Sequence, residues 1–225
     1  MPSFFDAPIS AAYTLVSSLA SLVEPLTGPY AAAVAIVLCT VAVRLLLLPL
    51  SLAALRGERS RTTLLPQIRD LSAKHKDDPE RLRREIAELQ QSSGTTVQAG
   101  CLPMLAQLPF FWLLYTVFST AIVAGQANQL LAGTVLGAGL GLHWPLIAAT
   151  PAYVVLAVLL AVVAYFSSRR QVRQLDESAP ALSRRLARIL PYGTLVTAAF
   201  IPLAAGLYLL TTTTWTLLER TVLQR

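Results

Sequence analysis

Residues 37–50 read VLCTVAVRLLLLPL. The stretch is apolar enough for lipid except at Arg44. The nearest other charged residues are Glu24 and Arg56. Twelve helical residues separate Arg44 from Arg56, about 18 Å along a helix axis. That is far for a side chain to snorkel to a headgroup. An arginine at mid-bilayer costs roughly 2.5–3.5 kcal/mol on insertion scales, so it needs acceptors, water, lipid phosphate or a ligand. Two readings follow. Arg44 faces a water-filled cavity, or it bonds backbone carbonyls inside a packed bundle. Thr40, one turn earlier on the same face, and Pro49, which removes a backbone donor, favour the cavity.

Composition supports a membrane setting. The chain has 225 residues, of which 55% are hydrophobic and 13% charged, against about 25% charged in soluble domains. Several apolar stretches approach the roughly 20 residues that cross a bilayer. The net charge of +6 invites a nucleic-acid reading, but its distribution opposes one. Residues 1–43 hold no Lys or Arg, and residues 118–168 hold no Asp, Glu, Lys or Arg. Basic residues gather at 56–84 and 169–188, the positive-inside pattern of cytoplasmic loops. The N-terminus lacks the basic region and early apolar core of a cleavable signal peptide. Cys39 and Cys101 form no CxxC motif, and His75 and His143 are isolated, so no metal set, cofactor site or nucleophile–base arrangement is expected.

These patterns predict an all-α membrane protein of five transmembrane helices around a polar groove open to the cytoplasm. Residues 1–28 are expected as an amphipathic helix on the outer face, and 29–222 as the five-span core. The spans fall at about 30–53, 101–123, 144–166, 189–201 and 204–222. The last two are inferred because a single helix over 189–222 would be about 51 Å long and basic residues flank both ends. Pro202 and Gly206 mark the turn. Residues 57–98 carry Leu64, Leu65, Ile68 and Leu71 on one helical face and Leu82, Ile86 and Leu89 on another. Asp78-Pro79 is a helix start, so this block is expected as a cytoplasmic hairpin. Residues 124–142 form an uncharged outer link, 167–188 a basic cytoplasmic loop and 223–225 a short tail. The N-terminus lies outside and the C-terminus in the cytoplasm.

Polar groups in the other spans are candidates to share the cavity with Arg44: Gln107, Tyr115 and Thr116 in the second, and Tyr208, Thr211–Thr214 and Trp215 in the last. Singly, each is more often a helix–helix hydrogen bond. No acidic residue is expected beside Arg44, since Glu219 falls at the cytoplasmic end of the last span.

The ordered set TVAVRLLLLPL (40–50), a charged hairpin, GCLPMLAQLPFFWLLY (100–115), a basic loop and PLAAGLYLLTTTTW (202–215) resembles the YidC/Oxa/Alb membrane protein insertase family in its short five-span form. The resemblance spans roughly residues 25–222. It implies that Arg44 is the groove arginine and Thr40 a polar groove position one turn before it. It also matches Cys101, Pro103, Gln107 and Pro109 to the opening of the second core span, and Tyr208 to a tyrosine of the last. The hairpin 57–98 would recruit clients. The chain departs from the family at Val97, where proline is common, at Thr212-Thr213, where Ser-Asn is common, and at Glu219, where glutamine is common.

The expected function is a non-enzymatic insertase of the bacterial cytoplasmic membrane that moves short polar tails of client proteins partway across and releases their apolar segments into lipid. The substrate-binding groove would use Arg44, Thr40, Gln107, Tyr115, Tyr208, Thr212 and Trp215. Its partners would be nascent membrane proteins and the lipid bilayer, with the Sec translocon and the ribosome as further candidates and no specific nucleic acid. The alternatives are a small transporter or channel, or a lipid-handling protein, using the same cavity, and a structural assembly subunit.

Overall fold

The computed structural model describes residues 6–76, 78–92, 101–123, 125–143, 150–175 and 180–223, with backbone alone at 60–62, 65, 101–104 and 106. The expected opening of the third span at 144–149 and the link 93–100 lie outside the described residues. Nine helices are described: α1 (Asp6–Thr27), α2 (Ala31–Leu46), α3 (Leu48–Lys74), α4 (Pro79–Ser92), α5 (Cys101–Ser119), α6 (Pro151–Arg173), α7 (Ala181–Ile189), α8 (Gly193–Phe200) and α9 (Leu203–Leu223). They fall into two compact units, residues 1–44 with 112–225, and residues 45–111.

In the larger unit, α1 and α2 follow one another through a 3-10 turn at Gly28–Tyr30. Gly28 has φ +54°, a left-handed conformation that ends a helix most easily without a Cβ. Of the expected amphipathic segment 1–28, residues Asp6–Thr27 form a helix that packs inside the unit. Val16 joins the same buried cluster as Ile36, Phe118, Leu140, Leu160 and Tyr208. The Tyr13 hydroxyl accepts from the Gln129 N–H at 3.2 Å.

The uncharged link after α5 holds two short antiparallel hairpins, β1 (Ile122–Val123) with β2 (Gln126–Ala127), and β3 (Thr134–Val135) with β4 (Ala138–Gly139). Leu136 and Gly137 both have positive φ, as a tight two-residue hairpin turn requires. The link supplies caps. The buried Asn128 donates through Nδ2 to the carbonyls of Val117 (2.7 Å) and Thr120 (3.0 Å), and its Oδ1 accepts from Leu130 N–H. Those carbonyls at the end of α5 lack intrahelical partners. At the other end, Leu203 N–H and Ala204 N–H donate to Leu142 and Leu140 carbonyls, satisfying the first turn of α9. The second expected span thus stops at Ser119 rather than 123, because Asn128 closes the helix there.

Close helix approach matters here because lipid supplies no hydrophobic drive between helices, so packing must. A Cβ on Gly206 of α9 would lie 2.6 Å from Leu156 Cδ2 of α6. A Cβ on Gly133 would lie 2.7 Å from Ala32 Cβ.

Two described helical stretches, Asp6–Leu46 and Pro151–Arg173, are long and apolar enough to cross a membrane. Helix α9, with 21 residues, has a length of about 31 Å, close to a bilayer core, although its threonines lower its hydropathy. Helix α8 has eight residues, about 12 Å, too short to cross alone. The expected boundary near 189 is instead a continuous helical path from α7 through a 3-10 turn at Leu190–Tyr192, where Pro191 and Gly193 loosen the ladder. The expected loop 167–188 is in large part helical, since α6 runs to Arg173 and α7 starts at Ala181.

In the smaller unit, α3 starts at Leu48 with Pro49 in its first turn and runs to Lys74. The expected first span, 30–53, therefore contains a helix break at Leu47. Helix α4 packs on α3. Asp78 Oδ1 accepts from Arg81 N–H at 3.0 Å, an N-cap bond with Pro79 as the first helical residue. Leu64 is buried, but α4 buries no residue fully. His75 and Glu85 meet at 3.0 Å, and Arg81 Nε donates to Glu85 Oε1 at 3.2 Å. Partial burial pushes the Glu85 carboxyl up. The hydrogen bond from Arg81 and the nearby His75 and Lys74 outweigh it, and the net displacement is downward.

Two predictions follow from this packing. Gly133→Ala should lower the melting temperature in detergent more than Gly206→Ala. Ala32 Cβ is fixed to backbone, whereas Leu156 can rotate away; overpacking of this kind costs about 1–3 kcal/mol. Equal losses, read by a thermal shift assay, would contradict the packing. For the hairpin, a carboxyl held below its ordinary value stabilises above that value, about pH 4.3, and the benefit is lost as pH falls further. Spin labels at positions 69 and 88 should report a fixed distance at pH 7 that broadens only below about pH 4. In Glu85→Gln the distance should be broad at both pH values.

Candidate functional site

The polar residues of the apolar helices meet at the C-terminal half of α2 and one stripe of α9. On α2, Thr40 and Arg44 lie one turn apart, both buried, at 1% and 7% exposure. Thr40 spends its hydroxyl on its own helix, donating to the Ile36 carbonyl at 2.6 Å. Arg44 reaches across to α9. Its Nη2 donates to the Thr212 carbonyl and to Thr216 Oγ1, both at 3.1 Å. Thr216 Oγ1 in turn donates to the Thr212 carbonyl at 2.9 Å. One hydroxyl therefore accepts from the cation and donates along its helix.

Tyr208 and Glu219 lie within electrostatic range of Arg44. Positions 208, 212, 215, 216 and 219 recur at three- and four-residue steps, so they share one face of α9. Tyr208 is buried against Phe118, with ring centroids 5.8 Å apart and planes tilted by 52°. On this stripe Trp215 Nε1 and Glu219 Oε1 are among the buried atoms with no hydrogen-bond partner among the described residues. Burying such groups is costly unless something satisfies them.

The structure sorts the sequence candidates. Arg44, Thr212 and Tyr208 come together, with Trp215 on the same helix face and Thr40 one turn away on α2. Gln107 belongs to the smaller unit, where it is buried and donates through Nε2 to Ser51 Oγ at 3.2 Å. Tyr115 is 39% exposed on α5. Cys39 is buried in the apolar cluster, as its apolar reading requires, and the Cys101 and Pro103 side chains lie outside the described residues. His143 is exposed and His75 belongs to the hairpin. Among the described residues no group of His, Cys, Asp or Glu could hold a metal.

One participant escaped the sequence reading. Thr216 lies one turn beyond Thr212 on the same face, and its spacing was the available signal. Glu219, expected at the cytoplasmic end of the last span, lies one turn past Thr216 on the same face of α9 and within electrostatic range of Arg44. Arg44 bonds both a backbone carbonyl and a threonine hydroxyl of α9.

Chemically, the cluster includes a buried guanidinium bonded to a backbone carbonyl and a threonine hydroxyl of α9. It offers no nucleophile with an adjacent base.

The family model described as the 60Kd inner membrane protein matches residues 22–225. A membrane protein insertase YidC of Endomicrobium trichonymphae is 38% identical over 87 residues, covering 39% of this chain and 17% of that protein. An inner membrane ALBINO3-like protein 2 of the chloroplast of Chlamydomonas reinhardtii is 33% identical over 156 residues, 63% of this chain and 37% of that one. A YidC of Streptomyces avermitilis is 32% identical over 135 residues, covering 58% and 31%. The chain thus spans well under half the length of these curated relatives. A crystal structure of an active YidC insertase with its first transmembrane domain resolved has the same fold, with a TM-score of 0.56 and 23% identity, over 96% of this chain and 46% of that one. The chain belongs to the 60Kd inner membrane protein family, that of the YidC, Oxa and Alb proteins.

Proposed function

We propose that this protein inserts client proteins into the bacterial cytoplasmic membrane, using the polar stripe between α2 and α9 as the transient host for a client's polar tail. The observation that carries the reading is the Arg44 contact. A permanent cation lies inside apolar helices, held by a carbonyl and a hydroxyl and attended by a carboxylate. Each of these acceptors can be exchanged for another. The orphaned Trp215 and Glu219 atoms on the same stripe favour a site that receives water or a ligand over a sealed core.

In this account Arg44 rests on α9 with its charge partly compensated by Glu219. That lowers the cost of keeping it among apolar helices. A client carboxylate entering from the cytoplasm replaces the neutral acceptors and competes with Glu219. Hydrogen bonds to ionised groups are worth more than neutral ones, so the exchange favours an acidic tail. The apolar segment of the client then passes into lipid, and the tail is released outward. No covalent step is needed, so the protein is not an enzyme. The groove opens to the cytoplasm and to lipid, with five spans, N-terminus outside and C-terminus inside. The basic segments at 56–84 and 169–188 support that orientation through the positive-inside rule. Clients are nascent membrane proteins; the Sec translocon and the ribosome are further partners on this reading. On this reading Gln107 and Tyr115 are further residues of the groove.

Arg44→Ala should reduce insertion of a single-span client with an acidic outer tail by about tenfold, the worth of one charge-assisted hydrogen bond, in cells depleted of other insertases. Arg44→Lys should retain part of the activity, because charge persists while the guanidinium geometry is lost. Normal insertion by Arg44→Ala contradicts the electrostatic step. Glu219→Gln should increase crosslinking to acidic clients, because it removes the competing carboxylate. A fall in crosslinking with a stable fold would contradict the exchange. In a cysteine-free background, single cysteines at 40, 208, 212 and 216 should be labelled by a charged maleimide from the cytoplasmic side only. Labelling from both sides would favour the transporter reading.

A further inference from the structure

The arginines at the end of α6 are not used by the client site. Arg169, Arg170 and Arg173 follow Phe166 at three- and four-residue steps and so lie on its helix face. With Leu217, Leu218 and Thr221 of α9 they line a cleft of about 470 Å³. A second cleft of about 330 Å³ shares Arg169 and Arg173 and adds Arg188, Ser168, Tyr165 and Tyr192. The same two arginines therefore stand between two concavities, each within the size range of small-ligand sites. Among the described residues no acidic side chain lines either cleft.

The arginines are held in place. Arg170 Nη1 donates to Thr221 Oγ1 at 2.9 Å. The Arg169 guanidinium carbon lies 5.4 Å from the centroid of the Tyr165 ring, within cation–π range. Ser168 Oγ donates to the Arg188 carbonyl at 2.9 Å, which fastens the end of α7 to α6. Helix α7 then sets the depth. Leu182, Leu186 and Ile189 are exposed on one face, with Arg184, Arg185 and Arg188 on the other. A helix patterned this way lies in a membrane interface, apolar face in the acyl region and basic face among headgroups.

We propose that this paired cleft binds the phosphate headgroup of an anionic phospholipid of the cytoplasmic leaflet. The phosphate sits between Arg169 and Arg173, and an acyl chain follows Phe166 and Leu218 into the bilayer. Arginine suits phosphate because its planar fork donates two parallel hydrogen bonds. Arginine at a helix C-terminus also complements the helix dipole, but that role would need no apolar wall beside it. The exposed Phe166 and Leu218 are what lipid adds to the requirement, and RNA phosphate would leave them unused. The inference rests on the orientation argued above, not on the client exchange.

The test is lipid retention. The full chain would be purified from nanodiscs of mixed phosphatidylglycerol and phosphatidylethanolamine, and bound lipid read by native mass spectrometry. The wild type should retain phosphatidylglycerol in preference to phosphatidylethanolamine. Arg169→Gln and Arg173→Gln should each reduce that preference about fivefold, the worth of one basic group near an anionic surface. Arg184→Gln with Arg185→Gln, on α7 outside both clefts, should leave most of the preference intact. Equal retention by wild type and the Arg169 and Arg173 variants overturns the proposal. So does an equal loss in the α7 variant, which would mean a general surface charge. Displacement of the retained lipid by a short RNA oligonucleotide, with tighter RNA binding, would also overturn it in favour of a nucleic-acid contact. Melting temperatures of the variants guard against misfolding. A failure of client insertion alone would leave these lipid ratios unchanged, so the two readings fail separately.

Discussion

The constraint on which the larger unit turns is one guanidinium among apolar helices. Arg44 cannot shed its charge, so α2 must present it to acceptors. Those acceptors come from α9, which must arrive with Thr212 and Thr216 in register. The register depends on what holds α9. Its first N–H groups bond to carbonyls of Leu140 and Leu142, and Gly206 lets it approach Leu156 of α6. The uncharged link is in turn pinned by Asn128 to the end of α5. A side-chain contact inside the unit is thus positioned by backbone caps at one end of it.

The contact also explains why the stripe on α9 is tolerated in a helix of bilayer length. Threonine hydroxyls can bond to their own helix one turn back, as Thr211 and Thr213 do with the carbonyls of Leu207 and Leu209. Such residues carry polarity at little cost and can turn to another partner. Thr216 is the member that does both at once. Glu219 lies on the same face, one turn further along α9.

Much of this was legible in residues 37–50 and 202–215. A lone arginine in an apolar run and a polar run in another define the two sides of the contact, and helical periodicity places Tyr208 and Thr212 together. The helix start at Asp78-Pro79 was equally legible, because capping is local chemistry. Other parts were not. Asn128 has no sequence signal, since capping a helix eleven residues earlier is a tertiary act. Thr216 escapes notice because a hydroxyl in a threonine-rich helix carries no signal of its own; only the arginine reaching across from α2 singles it out. The bond from Gln107 to Ser51 joins residues 56 positions apart, and no local pattern announces it. The end of the first span was placed past Pro49, whereas the structure breaks the helix at Leu47, so that Pro49 falls in the first turn of the next one.

The account's central claim is that an acidic client tail takes the place that Thr212 and Thr216 hold at Arg44. The most direct measurement is photocrosslinking from position 212, where replacing the threonine side chain keeps the backbone carbonyl. A client arrested with its tail partway across should crosslink there when the tail carries Asp or Glu. The crosslink should fade when those residues are made neutral or when Arg44 is replaced by Ala. Crosslinking of equal strength from neutral and acidic tails, with and without Arg44, would contradict the claim.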